Sequence, residues 1–89
     1  MSAETAALLR ERLAALAPQS LAIEDESHRH AGHAGAKEGG HYKITIVAAA
    51  FAGHNTVRRH RMIHEAVGDL LMRGRIHALS IRAFSPDEV

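Results

Sequence analysis

The sequence predicts an α+β fold of two layers with the element order α-β-β-α-β, and three observations predict it. Apolar residues recur three and four apart in two stretches, as on one side of a helix, and two apart in three others, as on one face of a strand. The second helical stretch separates the last two strands and is long enough to cross over between parallel neighbours, while the first two strands pair antiparallel. Two helices on one face of a three-stranded mixed sheet cover the aliphatic sides of all strands, and the other sheet face stays more exposed. Residues 1–89 are expected to form one domain with a small core, since a chain of this length buries roughly 60 to 65% of its unfolded surface.

From Ser2, which can cap the first helix, Ala6, Leu9, Leu13 and Leu16 lie on one stripe. Pro18 disfavours helical backbone at Ala17, so the helix ends there. Leu21 and Ile23 alternate with Ala22 and Glu24 in a short strand that runs into Asp25 and Glu26. No hydrophobic period runs from His28 to Gly40, where Gly32, Gly35, Gly39 and Gly40 favour a loop. Strands joined as a hairpin typically need about two to five linking residues, so the excess length is either disorder or function. The second strand runs from His41 to Ala49, with Tyr42, Ile44, Ile46 and Ala48 on one side and Lys43, Thr45 and Val47 on the other. Asn55 caps a second helix that runs to about Arg73, with Gly74 placed to end it. At about 100° per residue, Val57, Ile63, Val67, Leu70 and Leu71 form one stripe about 140° wide that meets the sheet. The last strand is Ile76 to Phe84, with Leu79, Ile81 and Ala83 alternating before Ser85 and Pro86 stop it.

Eleven Lys and Arg against ten Asp and Glu leave a formal charge of +1, too small an excess to drive bulk binding to nucleic acid or membrane. Partners are therefore reached through local features. The absence of cysteine excludes disulfides, thiolate nucleophiles and any metal site in which this chain supplies sulfur. No apolar run approaches the roughly 20 residues that span a membrane, and no basic segment leads into an apolar stretch at the amino terminus, which predicts a cytoplasmic protein. The outlier is histidine, eight of 89 residues, with His28, His30, His33 and His41 close together.

Imidazole is a borderline ligand for zinc, copper, nickel and iron, and with a reference pKa of about 6.5 it is mostly neutral near pH 7. The stretch from His28 to His33 is either a solvated loop or a set of ligands. A closed zinc site needs four fixed groups, which a glycine-rich loop orders at a high entropic cost. A free-standing zinc or nickel binder built on these loop histidines is one reading. His60 and His64, four apart on the second helix, have the spacing of a chelating pair, yet both fall within its apolar stripe and are expected to be partly buried packing residues. Arg58, Arg59 and Arg61 near the start of that helix carry the charge of a phosphate contact. Against that stands an Arg61 to Glu65 pair on a solvated face shared with Arg58 and Asp69.

His77 stands apart because it opens a strand between Ile76 and Leu79, where an aliphatic is the simple choice. If its face borders the long loop, His77 and one loop histidine form an exposed pair able to complete another molecule's metal site. Catalysis is not expected. There is no phosphate-binding glycine signature and no nucleophile motif, and histidine beside Glu24, Asp25 or Glu26 is nonspecific. Gly32 and Gly35 form a GxxG, but between strands rather than helices. The turn Gly53-His54-Asn55-Thr56 lacks a second glycine, so RNA clamping of the KH type is not expected.

Five motifs resemble those of BolA-like proteins over nearly the whole chain: Asp25-Glu26-Ser27-His28 leading to His30-Ala31-Gly32-His33, then His41-Tyr42, Phe51 with Gly53, Arg59-His60-Arg61, and Ile76-His77-Ala78-Leu79. The resemblance implies a class II KH-like fold with the α-β-β-α-β order. It also implies a non-enzymatic adaptor that pairs with a monothiol glutaredoxin in iron-sulfur trafficking or iron sensing. The two share a two-iron, two-sulfur cluster held by the glutaredoxin cysteine, glutathione and histidine-type ligands from the BolA-like subunit. The family's last-strand histidine maps onto His77 and its loop ligand best onto His30, with His33 as a competitor and His28 as a weaker one. Nitrogen ligation would raise the reduction potential of the cluster, and pairing should weaken as pH falls. The family also looks like a set of stress-linked transcription regulators. On that alternative the second helix, with Arg58, Arg59 and Arg61, faces DNA, and the low net charge means that homodimerisation or a partner is needed.

Overall fold

The structure is a computed structural model that describes residues 2–26 and 40–89. The loop histidines His28, His30 and His33 lie outside the described residues. Helix α1 spans Ser2–Leu13, strand β1 Ser20–Asp25, strand β2 Gly40–Val47, helix α2 Thr56–Met72 and strand β3 Ile76–Phe84. The sheet order is β1-β2-β3, antiparallel between β1 and β2 and parallel between β2 and β3, as the two connection types dictate. Leu9 and Leu13 of α1 meet Ile63 and Val67 of α2 over Ile44 and Ile46 of β2 in one buried cluster, which puts both helices on one face. Full burial of such a side chain stabilises by about 1.5 to 3 kcal/mol. On the opposite face Glu24 of β1 lies directly across from Lys43 of β2, a cross-strand pair of opposite charge that water can reach.

The two helices end by different devices. The α-helical part of α1 stops at Leu13 and tightens into a 3-10 turn over Ala14–Leu16, earlier than the apolar spacing predicts. Ala17 closes that turn in the left-handed region at φ 50°, donating its N–H to the Ala14 carbonyl at 2.9 Å. The ring of Pro18 removes right-handed helix as an option for Ala17, and the chain leaves through the costlier left-handed one. At α2 the expected signals operate. The Asn55 side chain accepts the Arg58 N–H at 2.9 Å. Gly74 at φ 77° then lets Arg75 donate back to the Leu70 carbonyl at 3.1 Å.

The buried line of α2 is rotated from the predicted stripe. Val57 is 65% exposed, and the line runs through Arg59, Ile63, Val67 and Leu70. A DNA-facing place for Arg59 is therefore corrected. Its Nη1 and Nη2 donate to the two Glu88 carboxylate oxygens at 2.6 and 3.0 Å, Nε to the His54 carbonyl at 2.8 Å, and Nη1 also to the Ala83 carbonyl at 3.1 Å. A guanidinium can leave water when a two-pronged carboxylate and backbone acceptors replace it. Glu88 is delivered by a 3-10 turn, Pro86–Glu88, whose capping box joins Ser85 and Glu88 reciprocally. Asp69 likewise leaves the solvated face expected for it. It accepts from Arg12 Nε at 3.1 Å and Nη2 at 2.9 Å, clasping α2 to α1, and the guanidinium holds its carboxyl below the usual carboxylate range.

Replacing Ala17 by glycine should raise stability by about 0.5 to 1 kcal/mol. A left-handed alanine costs about 1 to 2 kcal/mol, of which the greater freedom of unfolded glycine offsets part. A denaturant midpoint that falls would contradict the turn. Glu88 is held at about 2 against an ordinary 4.5, through Arg59 first and the Ser85 N–H second. Its contribution is thus complete above its ordinary value and fades as pH falls from there towards about 2. Glu88→Gln should lower stability at neutral pH and flatten the loss of stability across that acid window, as measured by denaturation at a series of pH values.

Candidate functional site

The site begins with a mismatch of repeats. Ile76 is buried, and Leu79, Ile81 and Ala83 pack on the same core, yet residues three apart in a regular strand point to opposite faces. The register resolves this. Gly40 pairs with Ile76 but His41 with Ala78, so His77 is the one residue of β3 without an opposite number. An added residue of this kind re-aims side chains locally, and here His77 is exposed while both of its apolar neighbours in the motif stay packed.

The ring of His77 stacks on that of His41, the second residue of β2, with centroids 5.2 Å apart and planes inclined by 30°. The same rim receives both ends of the stretch that joins β1 to β2. Glu26 donates its N–H to the His41 carbonyl at 2.8 Å, and Gly40 donates to the Arg75 carbonyl at 3.2 Å. Glu26 and Gly40 are thus both tied to residues that flank or face His77. The ring that meets His77 belongs to His41, a residue to which sequence reasoning assigned no role. Its signal was present in the histidine count, but adjacency to residue 77 depends on the parallel register and on the added residue. Among the described residues no three His, Cys, Asp or Glu side chains converge as a metal site. What the rim offers is imidazole nitrogen for part of a coordination shell, a donor type that suits iron, zinc, copper and nickel and fits the nitrogen positions of an iron-sulfur centre.

Elsewhere the expected site residues separate. His60 is half-buried as expected, beside a cleft of about 250 Å³ between α2 and β3 that Thr56, Arg82 and Phe84 also line. His64 is exposed rather than packed, and its Nδ1 donates to the His60 carbonyl at 2.8 Å, one turn back on its own helix. Arg58 and Arg61 are exposed on α2, whereas Arg59 is withdrawn. Among the described residues no helix is long and apolar enough to cross a membrane.

Comparison with known proteins agrees with this architecture. The family model described as BolA-like protein matches residues 13–88. The chain is similar to Protein BOLA1, chloroplastic, of Arabidopsis thaliana, with 42% identity over 93% of this chain and 54% of that protein. It is also similar to the DNA-binding transcriptional regulator BolA of Haemophilus influenzae, with 39% identity over 80% of this chain and 66% of that protein. The chain thus spans about half the length of the first of these relatives and about two thirds of the second. The solved BolA domain of SufE1 from Arabidopsis thaliana has a TM-score of 0.79 and 46% identity, with 91% of each chain covered. A family match over residues 13–88, together with a sheet and helices shared at that level of identity, establishes that the chain belongs to the BolA-like protein family.

Proposed function

We propose that this chain is a non-enzymatic adaptor that joins a monothiol glutaredoxin in the cytoplasm and completes a shared two-iron, two-sulfur cluster with glutathione, in iron-sulfur trafficking or iron sensing. The observation that carries the reading is the exposed His77 ring, held out at the added residue of β3, on the rim where Glu26 and Gly40 also lie. A second nitrogen comes from the sequence between β1 and β2, from His30 or its competitor His33. The chain has no cysteine, so its share of the ligands is nitrogen and the thiolates come from the glutaredoxin and glutathione. The cluster supplies irons that accept such mixed ligation, with a higher reduction potential when imidazole replaces thiolate. His77 contributes by presenting a ring nitrogen at a fixed position. β3 contributes by holding that position without loop ordering. Protons compete with the metal for an imidazole ligand, so the mixed complex weakens as pH falls.

A second reading, DNA binding through α2, is favoured by the exposure of Arg58 and Arg61 and by the printed name of the Haemophilus influenzae relative. It excludes Arg59, whose charge is already matched by Glu88.

Reconstitution of the cluster with the chain, a monothiol glutaredoxin and glutathione tests the first reading. His77→Ala should abolish the absorption and circular dichroism bands of the mixed complex while leaving the thermal midpoint of the chain alone unchanged, because the ring is exposed. Unaltered bands would refute it. For the second reading, Arg58→Ala with Arg61→Ala should weaken binding to duplex DNA and reduce the slope of log K against log salt by about 2, at about 0.9 for each phosphate that is no longer neutralised. An unchanged slope would remove these arginines from any DNA interface.

A further inference from the structure

The ring centres of His41 and His77 lie as far apart as those of two imidazoles bound to one ion. With a metal to nitrogen distance of about 2.0 to 2.1 Å and about 1.1 Å from a ring nitrogen to the ring centre, each bound imidazole centre lies about 3.2 Å from the ion. Two such rings at a tetrahedral angle of about 109° have centres about 5.2 Å apart, and at a right angle about 4.5 Å. The observed separation is 5.2 Å. The rings are stacked with their planes inclined by 30°, and rotation about the bond to each ring turns one nitrogen of each towards a common point. That torsion is broad for histidine, and the exposed His77 can turn without displacing the core.

Both residues sit on paired strands. Gly40 and His41 are held by the β2–β3 ladder, and the Glu26 N–H fixes the His41 carbonyl. The ordering cost that a glycine-rich loop would face on gathering ligands is already met by the sheet. From this geometry we propose that His41 and His77 form a two-imidazole seat for a single divalent late first-row metal ion, with water filling its remaining positions. Copper(II) binds it most tightly, following the general order of affinity for nitrogen sites. The proposal does not rest on the shared-cluster reading, since the seat needs neither glutaredoxin nor glutathione. If that reading also holds, an ion on the pair and a cluster at His77 exclude one another.

The test uses the full chain with His28, His30, His33 and the exposed His64 all replaced by asparagine, so that neither the loop nor the helical pair His60 and His64 supplies a chelate, titrated with copper(II) alone. One equivalent should bind, with two imidazole nitrogens counted by pulsed electron paramagnetic resonance. Adding His41→Asn or His77→Asn separately should lower the affinity at least tenfold and the nitrogen count from two to one. His41→Gln provides a second variant at the less exposed position, and far-ultraviolet circular dichroism checks that each variant keeps its fold. Affinity within twofold of the parent in either single addition, or a count that stays at two, would overturn the proposal.

Discussion

Ile76 and Leu79 must both reach the core, and a strand with a two-residue repeat cannot deliver both unless a residue is added between them. The added residue is His77. This constraint fixes the depth at which β3 enters the apolar cluster, the register in which it follows β2, and the direction in which the imidazole leaves the sheet. Restoring regular alternation by deletion at this point would send either the isoleucine or the Leu79, Ile81 and Ala83 face into water. The packing energy of the core therefore holds the ring in place. An exposed side chain with few contacts of its own acquires a defined position in this way, as a ligand shared with another molecule requires.

Two arginines of the helices are matched within the chain. Arg59 occupies a buried line otherwise made of Ile63, Val67 and Leu70, and the last turn of the chain exists in part to bring Glu88 to it. Arg12 and Asp69 join the two helices in the same two-pronged manner. These pairs lock the ends of α1, α2 and β3 together around the small core. They also reduce the basic surface of α2 to Arg58 and Arg61, so that a run of three arginines in the sequence becomes a modest patch in space.

The element order, the two helix termini marked by Asn55 and Gly74, and both strand pairings could be read from the sequence because each rests on local chemistry. Period, cap, glycine and connection length are all visible within a few residues. The exposure of His77 could be anticipated as well, since histidine opened a strand where an aliphatic was expected. Two features were not legible. Arg59 reads as a surface charge until Glu88, twenty-nine positions away, is brought against it, although the Ser85 to Glu88 capping-box spacing marked the turn that delivers it. The companionship of His41 and His77 was hidden because it needs both the parallel register and its one-residue shift. The three-residue step from Ile76 to Leu79, against two-residue steps beyond, was the trace of that shift in the sequence.

The central claim is that a nitrogen of this chain bonds the iron of a cluster held jointly with a glutaredoxin. The most direct measurement is pulsed electron paramagnetic resonance on the reduced mixed complex, with the histidines of this chain alone labelled with nitrogen-15. The account predicts strong nitrogen-15 couplings that vanish when the label is confined to the glutaredoxin. A spectrum without histidine nitrogen coupling from this chain would contradict it.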